Sequence, residues 1–337
     1  MVFVIGIDPH KGSHTAAVLD VDERVVGELC VIADRRQRDR LLRFAQPFMP
    51  RTWAVESANG LGALLARQLV AVGEHVVDVP PTLSARVRLL DAGRTDKTDL
   101  HDARAAAIVA LRHAGLRPVV PVDHAAVSRL LADRHHDLTA LRTQAICRLH
   151  ALMCHLVAGG LGRLLSADKA TALRSVRPCD PVDTARKEVA HQLLGDVRRF
   201  DHQLGALKDR IAIEVLASAT TVTNVHGVGR LGAATIIGHT QRVDRFPTAG
   251  HFARYNGTAP IETSSGPRVR HRLNPRGNRR INSALHVAAV TQIAHDTPGR
   301  TYYQRKLAEG KSRKEALRAL KRQISDAVYK QLHADAK

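Results

Sequence analysis

Aromatic side chains are scarce: Phe, Trp and Tyr make up 3% of the 337 residues. A base-stacking sheet of the kind that reads single-stranded RNA needs several exposed rings, so that class of recognition is excluded. Cysteine is nearly absent too. Cys30, Cys147, Cys154 and Cys179 form no C-x-x-C pair and no even framework, which excludes a disulfide scaffold and a structural zinc ribbon and fits a reduced cytoplasmic interior. No apolar run approaches the roughly 18 residues needed to span a bilayer. The opening "MVFVIGIDPHKG" has no basic leader and meets Asp8 after a few apolar residues, so it reads as a strand and not a signal peptide. Neither an amphipathic anchor nor a lipidation motif offers a membrane attachment, and no fixed-period repeat is present.

Acidic residues are also in deficit, 32 Asp+Glu against 51 Lys+Arg, and the imbalance is uneven. Residues 1–120 hold 16 basic and 14 acidic residues, whereas residues 241–337 hold 20 and 7. A surplus gathered in one third of a chain points to a polyanionic partner, and nucleic acid fits better than an anionic membrane. With so few rings, contacts to phosphates should dominate over contacts to bases.

The length admits two or more domains. In residues 1–120, apolar strands at 2–8, 15–22 and 24–32 precede an amphipathic helix ("RRQRDRLLRFAQPF"). A strand (51–57), a helix ("LGALLARQLVAVG"), a strand ("EHVVDV") and two further helices follow. Three consecutive strands and then alternating helices and strands is the element order of an α/β RNase H-like (RuvC-like) domain. Residues 121–220 carry apolar positions every three or four, predicting long helices that form a coiled coil or dimerising pair. Residues 221–337 read as a mostly α C-terminal domain opened by a glycine hairpin.

Within "RTDKTDLHDARAAAIVAL" (94–111), Asp96, Asp99 and Asp102 recur at intervals of three. The plain explanation is helix-start chemistry, with Thr98 or Asp99 as N-cap and acids favoured in the first turn. Context strengthens a second reading. In an RNase H-like fold the end of the first strand, the end of the fourth and a later helix converge on one sheet edge, and here they carry Asp8, Glu56 and the pair Asp99 and Asp102. An i,i+3 pair faces one way. Clustered carboxylates repel, and hard oxygen donors suit Mg²⁺ or Mn²⁺, ions able to clamp a phosphodiester. Asp96 stays outside this set as a capping or solvent-facing residue.

Two later segments carry further chemistry. "HGVGRLGAATII" (226–237) has the form of a helix-hairpin-helix, in which Gly227 and Gly229 let backbone N–H groups approach a DNA phosphate; an ordinary glycine-turned helix connection reads equally well. Between 268 and 280 stand Arg268, Arg270, Arg272, Arg276, Arg279 and Arg280, one histidine and no acid, preceded by Ser264-Ser265-Gly266. Ser-Ser-Gly is commonly a turn. Beside an arginine cluster, its hydroxyl is a candidate nucleophile toward a phosphodiester, with guanidiniums stabilising the developing charge.

"IGIDPHK", "VES", "KTDLHDA", "VHGVGRLGAATII" and "YNGTAPIETSSG…RGNRRIN" follow the order of the DEDD insertion-sequence transposases of the one-ten group, whose recombinases are guided by a bridge RNA, and the chain resembles them over almost its whole length. The resemblance implies a bacterial, nucleoid-associated transposase whose metal-binding tetrad is Asp8, Glu56, Asp99 and Asp102. It also implies a serine, Ser265 better than Ser264, that becomes covalently joined to DNA. DNA ends and target, a structured guide RNA and a homodimer or tetramer are the partners it implies. Other readings are a magnesium-dependent nuclease or Holliday-junction resolvase, an actin-like ATPase that would need a second glycine-rich nucleotide loop, and a non-catalytic DNA-binding protein.

Overall fold

A computed structural model describes residues 2–91, 98–121, 123–158, 172–262, 271–272, 274 and 276–336. The chain divides into two compact units, Met1–Val122 and Asp123–Lys337.

The first unit is built on β1 (Phe3–Pro9), β2 (Ser13–Leu19), β3 (Val25–Ile32), β4 (Arg51–Glu56), β5 (Val76–Val79) and the short β6 (Arg117–Pro118). Its helices are α1 (Gln37–Phe44), α2 (Ala63–Val70), α3 (Pro81–Asp91) and α4 (Asp99–Arg112). The strands lie in the order β3-β2-β1-β4-β5-β6. The first three are antiparallel neighbours, β1/β4 and β4/β5 are parallel, and β6 returns antiparallel to β5. That strand order and those directions define the RNase H-like (RuvC-like) fold.

Alternation along each strand explains the two faces. Ile5, Ile7, Val18, Trp53 and Val55 pack with Leu41 of α1 and Leu65 and Leu69 of α2. Val4, Ala17, Leu19, Ala54, Val77 and Val79 pack with Ala103, Ala106, Ala107 and Val109 of α4. Trp53 is fully buried, and its indole N–H donates to Glu74 Oε2 at 2.7 Å, which satisfies the one polar atom of a large apolar side chain.

The second unit opens with α5 (His124–Leu156), followed by α6 (Ala172–Ser175) and α7 (Pro181–Ala217). Buried Ala190, Val197, Leu204 and Ile211 recur every seven residues on α7, and Leu131, Leu138 and Ala145 do so on α5. This is the seam of a coiled-coil packing. Arg142 pairs with Asp201, while Leu149 and Met153 meet Ala190 and Leu194, so the two helices run antiparallel. Asp123 and Asp180 cap them through their carboxylates, and Pro181 occupies a first-turn position of α7, where a missing N–H costs nothing.

Beyond a short 3₁₀ turn at Val222–Asn224 come α8 (Arg230–Thr240), α9 (Ala249–Tyr255), the ribbon β7 (Ile261–Glu262) and β8 (His271–Arg272), α10 (Arg279–Ala294), α11 (Pro298–Ala308) and α12 (Arg313–Asp335). Their core gathers Val222, Ile236, Phe246, Phe252, Ile281, Leu285, Ile324 and Val328 together with Leu138 and Leu204 of the long helices. Among the described residues no helix is long and apolar enough to cross a membrane.

Candidate active site

Asp8 falls on the α4 face of the sheet because Val4 and Gly6, at the same parity of β1, face that helix. Phe3 pairs with Arg51 and Ile7 with Val55 in parallel register, so the next residues, Asp8 and Glu56, lie side by side near the ends of adjacent strands. Ala54 packs on the α4 face, and Glu56 shares its parity. Asp8, Glu56 and Asp102 are 6%, 9% and 4% exposed.

Gly6 permits the convergence. A Cβ there would lie 1.9 Å from the Ala103 carbonyl oxygen and 2.7 Å from the Ala107 nitrogen, so α4 rests directly on the β1 backbone. The small Ala103, Ala106 and Ala107 complete the close approach. Thr98, not Asp99, is the N-cap: its hydroxyl accepts the His101 N–H at 3.3 Å. Asp99 and Asp102 thereby both sit in the first helical turn, where the helix dipole favours carboxylates.

Burial, and then the negative charges of Asp8 and Asp102, hold the Glu56 carboxyl above the usual range; the Arg88 guanidinium of α3 opposes this. Arg88 Nη1 lies 2.6 Å from Asp102 Oδ1 and supplies part of the counter-charge. His10, which the sequence reading passed over, bridges the remaining two acids. Its Nδ1 is 3.4 Å from Asp8 Oδ2 and its Nε2 is 3.7 Å from Asp99 Oδ1. One ligand atom each from Asp8, His10 and Asp99 lies within 4.8 Å of the others. Buried carboxylates, two of which raise the proton affinity of Glu56, gathered with oxygen and nitrogen donors at this spacing, fit a divalent cation. The signal for His10 was its position two residues after the strand-ending acid.

The turn beyond Glu56 is itself buttressed. Asp78 of β5 accepts the Ala58 N–H and the Asn59 side-chain amide, each at 2.8 Å.

In the second unit, Gly227 adopts φ +84°, and a Cβ on it would lie 2.7 Å from the Ala288 carbonyl oxygen of α10. Its glycine is required by packing within the unit. Gly229 is the exposed N-cap of α8. Arg276 and Arg279 are exposed, and Arg280 lies 3.8 Å from Asp133, whose Oδ1 also accepts from Nε2 of the buried His239 at 3.1 Å. Burial, first, holds His239 below the usual imidazole range, opposed by Asp133.

Strands β7 and β8 pair through Ile261–Arg272 and Glu262–His271. Ser264, Ser265, Arg268 and Arg270 fall between them and lie outside the described residues, as does Asp96; Arg272 is placed by its backbone alone. Behind the ribbon the chain is pinched shut. Gly257 has φ +74°, and a Cβ on Gly277 would lie 2.4 Å from the Gly257 Cα. The Asn278 N–H donates to the Tyr255 carbonyl at 2.6 Å, the Asn274 amide to the Arg254 carbonyl at 3.0 Å, and the Asn282 amide to the Asn256 carbonyl at 2.8 Å. Lys321 of α12 donates to Asn282 Oδ1 at 2.6 Å, and Asn256 donates to Ser325 Oγ at 2.8 Å.

A family described as "Transposase", of the DEDD IS110 type, matches residues 5–157, and the "Transposase IS116/IS110/IS902 family" matches residues 219–304. The "Insertion element IS116 uncharacterized 44.8 kDa protein" of Streptomyces clavuligerus is 28% identical over 375 aligned residues, covering 97% of this chain and 94% of that protein. The corresponding 43.6 kDa protein of insertion element IS110 from Streptomyces coelicolor is 31% identical over 214 residues, 63% of this chain and 52% of that protein. Among solved structures, a Thermus thermophilus RuvC is 22% identical and covers 35% of this chain and 99% of its own, with a TM-score of 0.28. The fold assignment rests on the strand order and not on that match.

Proposed function

Because the chain belongs to the DEDD transposases of the IS116/IS110/IS902 family, DNA-cutting recombinases, we propose that it excises and inserts a mobile element by metal-dependent strand exchange through a serine–DNA intermediate. The observation that carries this reading is the set of buried carboxylates Asp8, Glu56 and Asp102, gathered with Asp99 on the α4 face of an RNase H-like sheet. No purely structural need explains three neighbouring buried acids, since each is costly without a counter-charge.

Asp8, Glu56, Asp99 and Asp102 would hold the ion. A bound Mg²⁺ or Mn²⁺ supplies Lewis acidity and positive charge for a phosphodiester. Ser265 acts as nucleophile: its Oγ–phosphorus bond forms as one ester bond of the DNA breaks, and the hydroxyl proton passes to solvent or to the departing DNA hydroxyl. The serine ester keeps the phosphate activated, so rejoining proceeds by the reverse exchange without ATP. The arginines at 268, 270, 272, 276, 279 and 280 offset charge on DNA, with Gly227 and Gly229 shaping a phosphate-facing turn. The exposed position of Arg276, Arg279 and Gly229 supports that role; for Gly227 the packing against Ala288 supports a structural one. A structured guide RNA, the partner implied by the family resemblance, specifies the sites. Exposed Leu130, Ile213 and Leu216 on the long helices support self-association into a dimer or tetramer.

The test is incubation of the full chain with labelled element-end DNA, its flanking RNA and Mg²⁺, read by denaturing electrophoresis. A protein–DNA adduct is expected for the parent and none for Ser265→Ala, while Asp8→Asn abolishes cutting with an unchanged circular dichroism spectrum. Cutting by Ser265→Ala at the parent rate would replace this reading with that of a nuclease or junction resolvase.

A further inference from the structure

We propose that His10 is a nitrogen ligand of the catalytic cation, so that the site takes manganese in preference to magnesium. The proposal rests on the reading of Asp8 and Asp99 as metal ligands and adds a residue of different chemistry to them.

Three observations carry it. First, His10 is the side chain that joins the two acids: one ring nitrogen faces Asp8 at 3.4 Å and the other faces Asp99 at 3.7 Å. Neither separation is a good hydrogen bond, for which about 2.7–3.2 Å is usual, so the imidazole is placed between the carboxylates without being committed to either. Second, the donors of Asp8, His10 and Asp99 lie within 4.8 Å of one another. Donors about 2.1–2.2 Å from a common ion are at most roughly 4.4 Å apart, so a small side-chain rotation closes the set on one ion. Third, Asp102 is already engaged by Arg88 at 2.6 Å. Among the described residues, the donors gathered within 4.8 Å of one another are two oxygens and one nitrogen, beside which Glu56 and Asp102 complete the acidic surroundings.

The backbone supports this placement. The His10 N–H donates to the Ser13 carbonyl at 2.8 Å, closing the β1–β2 turn. The ring is 46% exposed in its side chain, so an ion and a phosphate can reach it from solvent. Manganese shares magnesium's liking for carboxylates but belongs to the first-row series that mixed nitrogen and oxygen sites bind, whereas magnesium favours oxygen and water throughout.

The experiment is electron spin echo envelope modulation on the full chain loaded with Mn²⁺, with metal affinities measured by titration. Modulation from a directly bound ¹⁴N is expected in the parent, changing to the ¹⁵N pattern when histidine is ¹⁵N-labelled and disappearing in His10→Ala. The substitution should weaken Mn²⁺ binding about 10- to 100-fold and Mg²⁺ binding several-fold less. The labelling arm needs no mutation, so it stands whether or not His10→Ala folds. Mn²⁺ that binds in an Asp8-dependent manner with no nitrogen modulation overturns the proposal and leaves the carboxylate site intact. Nitrogen modulation that persists in a folded His10→Ala assigns the ligand to another histidine and also overturns it. Absence of any Asp8-dependent Mn²⁺ binding overturns both the proposal and the metal-site reading.

Discussion

Replacing Gly6 with alanine should separate the geometry of the carboxylate site from the stability of the sheet around it. The new methyl would lie 1.9 Å from the Ala103 carbonyl oxygen, against 3.4 Å or more for an ordinary contact. Helix α4 must therefore back away from β1 by about 1.5 Å, since both partners are main-chain atoms of regular elements and no side chain can rotate to make room. Asp99 and Asp102 travel with the helix, while Asp8 and Glu56 stay with the strands. Overpacking of this size costs about 1–3 kcal/mol, which a domain of this kind can survive. Catalytic groups tolerate only about 0.5 Å, and a 1 Å misplacement costs about 100-fold. Gly6→Ala is thus expected to lose at least about 100-fold in metal-dependent DNA cutting and to bind Mn²⁺ more weakly, with a modest fall in Tm. Ile5→Val is the control: it lies on the opposite face of β1, is fully buried and should cost about 0.5–1.5 kcal/mol. It should keep both metal binding and cutting. A Gly6→Ala protein that binds Mn²⁺ and cuts like the parent would refute the claim that this crossing sets the site.

Glu56→Gln removes a buried charge that Asp8 and Asp102 repel, so thermal unfolding in EDTA should shift upward by about 2–4 °C for each kcal/mol of relieved repulsion, while Mg²⁺-dependent cutting is lost. Arg276→Ala and Arg279→Ala should each reduce the steepness of log affinity against log salt by about 1 for duplex DNA, starting from about −5 if six phosphates are neutralised; a slope that does not move would show those guanidiniums to be mere surface charge. Lys321 is 8% exposed, and burial followed by the nearby Arg279 charge lowers its pKa from 10.5 to about 8. A depressed lysine binds fewer protons folded than unfolded between those values, so parent stability should rise as pH climbs from about 8 to about 10.5. Lys321→Met should lack that rise, and parallel Tm–pH curves for the two proteins would count against the burial of a charged amine.

The RNase H-like order was legible because its elements announce themselves locally: β1 is an apolar run ended by Asp8, and α4 begins at a capping threonine and continues in alanine. The acids could be matched to strand ends once the order was read. What resisted reading were contacts between elements distant in sequence. Gly6 looks like any strand glycine until α4 is laid upon it. Arg88 belongs to an amphipathic helix whose pattern does not say that it meets Asp102. His10 lies two residues beyond Asp8, yet an imidazole just past a strand end has many ordinary uses. Gly227 shows the converse: its hairpin motif suggested a phosphate, and the close approach to Ala288 supplies a sufficient internal reason for glycine. Periodicity reports which face of an element is buried, not which distant residue it meets there.

The pinch at Gly257 and Gly277 bears on how this chain can vary. Its two backbones touch, and the hydrogen bonds of Asn256, Asn274, Asn278 and Asn282 fasten the strands entering and leaving it. The neck is an anchor that the helical unit maintains by itself. The entropy of closing a loop grows only with the logarithm of its length, about 0.6 kcal/mol for each doubling. A change of chain length between β7 and β8 should therefore cost the helical unit little closure entropy, because α9, α10 and α12 are fastened to one another behind the ribbon.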